Sequence, residues 1–154
     1  QAIYKRSLYV VVKRSVPNPM MSTFDATSRS SCLVRRQKTN TPLQALVLLN
    51  DPTYTEASRI LAERILSSVP TDAARLDGVF IRLLSRRPSR LESKRFTDLL
   101  EKQRKHFKVD TKAAAALVVV GEHRRMTDLP APEVAAWTVV ILSVMNLDEA
   151  ITRP

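Results

Sequence analysis

What the chain has little of sets the first limits. One cysteine, Cys32, in 154 residues excludes an intrachain disulfide, a cysteine-based zinc cluster and the Cys-x-x-Cys-His attachment of covalent haem. Two glycines count against P-loops, dinucleotide fingerprints and most sheet-rich folds. Aromatic residues amount to 5%, a poor supply for a platform that stacks single-stranded bases. The longest charge-free apolar run, Val134 to Met145, is 12 residues long, and a membrane span needs about 20. The two histidines stand apart, His106 in a cationic run and His123 in a loop. Neither sits at a spacing that specifies a metal pair or a nucleophilic triad. Asp148-Glu149 and the pair Glu122 and Asp128 read as solvated carboxylates, not as a hydrolytic dyad facing across a cleft. No metal site and no catalytic residue is therefore expected. A start at Gln1 with neither Met nor signal segment reads as a piece of something longer.

What is present is ordinary apolar content and an excess of positive charge. The apolar fraction of 44% suits one globular domain over 1–154, and disorder is not expected. The net charge of +10 is unevenly spread. Residues 1–40 hold eight basic side chains against Asp25 alone, and 82–108 hold ten against Glu92, Asp98 and Glu101, so each block carries +7. Residues 41–81 and 109–154 carry −2 each. Clustered Lys and Arg suit phosphate or another anionic surface. They equally suit helix faces that lay long basic stems over apolar surface, or that dock the acidic blocks.

Periodicity and punctuation give mainly α: an antiparallel array of about five to six helices over 41–154, behind an irregular, basic N-terminal third. Ile3 to Lys13 reads as a short strand or extended segment, ended by Pro17-Asn18-Pro19, and a short helix is expected near Met20 to Phe24. Thr41 before Pro42, and Asp51 before Pro52, are cap-then-proline signals for two helices. Ser89-Arg90-Leu91-Glu92 is a capping box for a later one. The run Leu43 to Leu49 is apolar nearly all round, which predicts a short buried helix with Leu46 in the core. Ala57, Ile60, Leu61, Arg64 and Ile65 mark the next inward stripe. Leu76, Val79, Phe80, Leu83 and Leu84 mark another, and Leu91, Phe96, Leu99 and Leu100 a third. Gly121 suits the position just past a helix begun at Thr111. The last helix follows Pro130 and carries Trp137 as a core residue.

Arg35, Arg36 and Lys38, just before the Thr41 helix start, form the best local constellation. Guanidinium forks beside a helix N-terminus suit phosphate, sulfate or carboxylate; the alternative is pairing with Asp25, Asp51 or Glu56. Arg86 and Arg87 form a second candidate for an anion or partner. Thr41, Asp51 and Ser89 are assigned structural capping roles, and Cys32 is read as a small buried apolar residue. Three functions are open: a non-catalytic scaffold or interaction module, a nucleic-acid or polyanion binder, and an enzyme subdomain lending Arg35, Arg36 or Asp51 to a site completed upstream. No small-molecule ligand is expected.

Several stretches together resemble one family. They are Arg6-Ser7-Leu8-Tyr9, Lys13 to Pro17, Phe24-Asp25-Ala26, Cys32 to Arg36, and above all Thr39-Asn40-Thr41-Pro42-Leu43-Gln44-Ala45-Leu46 through Leu49-Asn50-Asp51-Pro52. Ala135-Ala136-Trp137 and Asn146-Leu147-Asp148-Glu149 with Ile151-Thr152-Arg153 continue the likeness. The chain resembles the C-terminal domain of unknown function found in large planctomycete-type secreted proteins that carry a planctomycete cytochrome-c domain. It departs at Ala150, where that ending has Phe. The resemblance implies a helical domain, a periplasmic or otherwise extracytoplasmic setting, sibling domains as partners, and haem elsewhere in the parent protein with none held by this chain. It implies no activity.

Overall fold

The computed structural model describes residues 9–13, 15–27, 32–35, 37–126 and 128–152. Among them the chain forms eight helices and no strand. These are α1 (Pro19–Thr23), α2 (Pro42–Asn50), α3 (Pro52–Ser68), α4 (Asp72–Leu84), α5 (Arg90–Val109), α6 (Thr111–Val119), α7 (Ala131–Met145) and α8 (Asp148–Ile151). The class is all-helical. Of the extended segment expected over 3–13, residues 3–8 lie outside the described residues, and Tyr9 to Lys13 form no strand.

Helix boundaries are set by local chemistry. The Thr41 hydroxyl accepts the Gln44 N–H at 3.3 Å, and the Gln44 side chain accepts the Thr41 N–H at 3.0 Å. Two orphan donors of α2 are thereby satisfied reciprocally. Asp51 accepts from the Thr53 N–H at 2.8 Å to open α3. Ser89 and Glu92 close a second reciprocal box on α5. Gly121, just past α6, has φ 103°, a left-handed conformation that L side chains avoid.

The core centres on α7. Val134, Ala135, Ala136, Trp137, Val140, Ile141 and Val144 are buried, and α3, α4, α5 and α6 pack around them. Phe80 of α4 meets Phe96 of α5 edge-on at 5.4 Å, a favoured aromatic geometry. Trp137 is a core residue at 1% exposure.

Four expectations fail. Leu46 is 57% exposed, with Leu43 and Leu49 beside it at 56% and 47%. The helix α2 lies at the rim of the array, where only Gln44 and Leu48 turn inward. Leu91 is 59% exposed because it falls on the outer side of α5, opposite Leu100 and Phe107. Cys32 is exposed in the N-terminal loop.

The fourth correction concerns α3, which is rotated from the expected stripe. Ile65 is buried, but Arg64 is exposed, and Ala57, Ile60 and Leu61 are only half-buried. The inward face instead carries Glu56, Arg59 and Glu63, all at 2% exposure or less. Arg59 donates to Glu63 at 2.8 Å and to the His123 carbonyl at 2.8 Å. Glu56 accepts the His123 N–H and lies 3.7 Å from Arg59. The α6–α7 loop is thus stapled to buried ions. A Cβ on Gly121 would overlap the Glu56 side chain, a second reason why that position needs glycine.

Candidate functional site

The separated sequence stretches singled out above meet at one cleft. It has a volume of about 230 Å³ and is lined by Phe24, Asp25, Gln37, Lys38, Thr39, Gln44, Ile151 and Thr152. The turn after α1 supplies the first pair, the following loop the middle residues, α2 the amide and α8 the far wall. Asp25 adopts φ 56°, a conformation that Asp tolerates better than most residues. That turn aims its carboxylate at Thr39, whose N–H and hydroxyl donate to Asp25 Oδ2 at 2.8 and 2.7 Å. Gln44, buried in the wall, donates to Thr39 Oγ1 at 3.1 Å and to the Thr23 carbonyl at 2.8 Å. Its amide oxygen holds the α2 cap. One glutamine therefore fastens the loop on both sides. Asn40 extends the network to α8 by donating to Asp148 at 2.7 Å.

Phe24 and Ile151 also line an apolar cleft of about 260 Å³ with Leu48, Tyr54, Leu83, Met145 and Ala150. Burial, reinforced by Asp51, pushes the Tyr54 phenol above its usual range. Ala150, where the sequence resemblance implies Phe, is part of this wall.

The predicted anion residues are spread out. Arg35 is exposed on a third cleft of about 460 Å³, whose lining shares Asp25 and Gln37 with the first. Lys38 is exposed on the first cleft, and Arg36 lies outside the described residues. The α2 N-terminus beside them is closed by its own Thr41–Gln44 box, so the helix end expected to attract an anion is already satisfied. Arg86 is half-buried and committed inward. It donates to both oxygens of Glu92 at 2.9 and 2.6 Å, to Glu149 and to the Arg87 carbonyl, and it lies over the Phe80 ring at 5.4 Å. Arg87 stays exposed. Asp51, a candidate for an upstream-completed site, is used as the α3 cap.

Two ionic clusters on half-buried ground brace the helices. Arg86 joins α5 to α8, and its hydrogen bonds hold the Glu92 carboxyl down at about 2. Arg104 joins α4, α5 and α7 through Asp72 at 2.7 Å and Glu133 at 2.9 Å. Glu133 also accepts from the Trp137 indole at 3.2 Å. The hydrogen bond from Arg104 depresses the Asp72 carboxyl.

Periodicity missed the Asp25–Thr39–Gln44 network because its partners are far apart in the chain. A Gln three residues after a cap Thr was its one local sign. The Glu56–Arg59–Glu63 cluster had a clearer sign in its i, i+3 and i+4 spacing. Among the described residues no group of three His, Cys, Asp or Glu could hold a metal ion. No helix there is long and apolar enough to cross a membrane.

The fold and cleft define an all-helical module whose polar residues hold its own loops in place. Its family model carries a name without an activity: the chain belongs to the PSD1 family, protein of unknown function (DUF1553), which matches residues 1–100. No curated protein and no solved structure matches it.

Proposed function

We propose that the chain is a non-catalytic helical scaffold and interaction module of a larger extracytoplasmic polypeptide, whose haem is carried by a sibling domain. The observation that carries this reading is the outer edge of α2. Leu43, Leu46 and Leu49 are each about half exposed on a helix without a charged residue. Contiguous apolar surface of this kind is what a neighbouring domain covers. The cleft supports the same reading, because Gln44 donates to Thr39 and Thr39 to Asp25, and neither Asp25 nor Lys38 is without partners. With one cysteine the chain carries no Cys-x-x-Cys-His haem-attachment motif. The planctomycete cytochrome association and the extracytoplasmic setting rest on the sequence resemblance.

The test is calorimetric titration of the chain with the remainder of its polypeptide at two salt concentrations. Binding that persists at high salt, and that Leu43→Ser/Leu46→Ser weakens at least roughly tenfold, is expected when an apolar edge carries the affinity. Absence of binding, or binding untouched by the double variant, would overturn the proposal.

A further inference from the structure

The folding of this chain sorts its charge. Six of its acids, Glu56, Glu63, Asp72, Glu92, Glu133 and Glu149, are paired with just four arginines, Arg59, Arg75, Arg86 and Arg104. These paired clusters are acid-rich, so the charged side chains outside them are together more basic than the +10 of the whole chain. A large share of the excess lies on α5. Arg90, Lys94, Arg95, Lys102, Lys105 and Lys108 are all exposed. None of the six has a side-chain hydrogen bond or ion pair among the described residues. At 3.6 residues per turn, Arg90, Lys94, Lys105 and Lys108 share one line, and Arg95 with Lys102 form a second about a quarter-turn away. The first line runs about 27 Å along the helix and the second about 10 Å, at 1.5 Å per residue. The opposite side of α5 is anchored by Leu100 and Phe107, so the cationic side is held outward.

We infer that the outer face of α5 is a binding site for a flexible, linear anionic polymer, specifically an acidic polysaccharide. Three features select this partner. Unpartnered ammonium and guanidinium groups in a row suit a chain of sulfates or carboxylates, each contact releasing a counterion. The exposed side of α5 presents no Phe, Tyr or Trp and only the His106 ring, a poor stacking surface for single-stranded nucleic acid. Asp98 and Glu101 are exposed within the cationic sector. They repel a rigid duplex, whose phosphates fall about every 1.7 Å of axis. A flexible polymer with more widely spaced charges can set its anions beside the cations and away from the two acids. This site is independent of the α2 edge, so either assignment can fail alone.

The experiment measures binding of heparin, as the probe, to the chain over a range of salt. Lys94→Glu/Lys105→Glu is compared with Lys13→Glu/Arg64→Glu, which makes the same change in net charge at exposed positions elsewhere. Roughly tenfold or greater loss from the α5 pair, with a clearly smaller loss from the control pair, is expected. Asp98→Asn/Glu101→Gln should tighten binding several-fold. Equal losses from the two charge-reversed pairs would reduce the effect to net charge and overturn the site. So would heparin affinity unchanged by the α5 pair. A duplex DNA of about 20 base pairs binding more tightly than heparin would overturn the polysaccharide and leave a nucleic-acid face. All four positions on α5 are exposed, and an unchanged melting temperature shows that the variants remain folded.

Discussion

Two helices of this protein are almost wholly apolar in sequence, yet they meet opposite fates. In α7, nine of the side chains are buried, because α3, α4, α5 and α6 surround it. In α2, only Gln44 and Leu48 are buried, and three leucines face outward. Composition decides that both form helices and that neither suits water. Position in the array decides which of them is covered. The centre of the fold is closed by its own neighbours, and the rim leaves apolar surface that the described residues do not cover. The same division orders the charges: Glu56, Glu63, Glu92 and Glu133 pair with arginines inside and at the helix junctions, and Arg90, Lys94, Arg95, Lys102, Lys105 and Lys108 of α5 remain outside.

The contrast is broken most directly at its centre. Trp137→Ala should cost about 3–5 kcal/mol through cavity formation, read from urea unfolding. A cost below 1 kcal/mol would mean that α7 is not the hub. Arg59→Met should also cost about 3–5 kcal/mol, since Glu56 and Glu63 would be left buried without their cation. An unchanged unfolding midpoint would show that the ionic cluster is no part of the packed centre. A smaller effect, of opposite sign, is expected at the rim. Ala150→Phe should fill the apolar cleft beside Leu48, Tyr54 and Leu83 and stabilise by about 0.5–2 kcal/mol. Destabilisation there would mean that the cleft is already closed to a ring.

The half-buried ionic braces predict a pH dependence. Glu92 lies at about 2 in the folded chain against an ordinary 4.5. Its contribution is therefore fully present above pH 4.5 and is lost as the pH falls through 4.5 toward 2. Asp72 is shifted in the same direction by Arg104. Glu92→Gln should flatten the acid limb of the stability curve, and an unaltered limb would contradict the brace. Smallest of all, Leu46→Ala should change the stability of the chain by no more than about 0.5 kcal/mol, because half of that side chain already meets water. A loss of 2 kcal/mol or more would place α2 in the core after all.

What was legible in the sequence is what is local. Thr41, Asp51 and Ser89 cap helices through atoms two or three residues away, so punctuation alone locates the starts of α2, α3 and α5. The inward stripe of α4 was also readable, because its apolar residues outnumber the alternatives. The face of α3 was not. Arg59 belongs inside only because the Glu63 carboxylate and the His123 carbonyl meet it there, and the second partner comes from a loop beyond α6. Leu46 and Leu91 failed for a related reason: an apolar residue is inside only where something covers it, and the covering element is non-local. The cleft was half legible. Its residues stood out as separate stretches, but the contact of Asp25 with Thr39 closes a 14-residue loop, and that of Asn40 with Asp148 depends on the array bringing α8 back to the start of α2.

The central claim is that the uncovered edge of α2 is an apolar docking surface. The measurement that reaches it most directly is the heat-capacity change on binding of this chain to the sibling domains proposed for it, obtained by calorimetry at several temperatures. Burial of Leu43, Leu46 and Leu49 predicts a clearly negative change, which Leu43→Ser/Leu46→Ser reduces. A heat-capacity change near zero, with affinity that vanishes as salt rises, would show that charge alone makes the contact and that the leucine edge is not the docking surface.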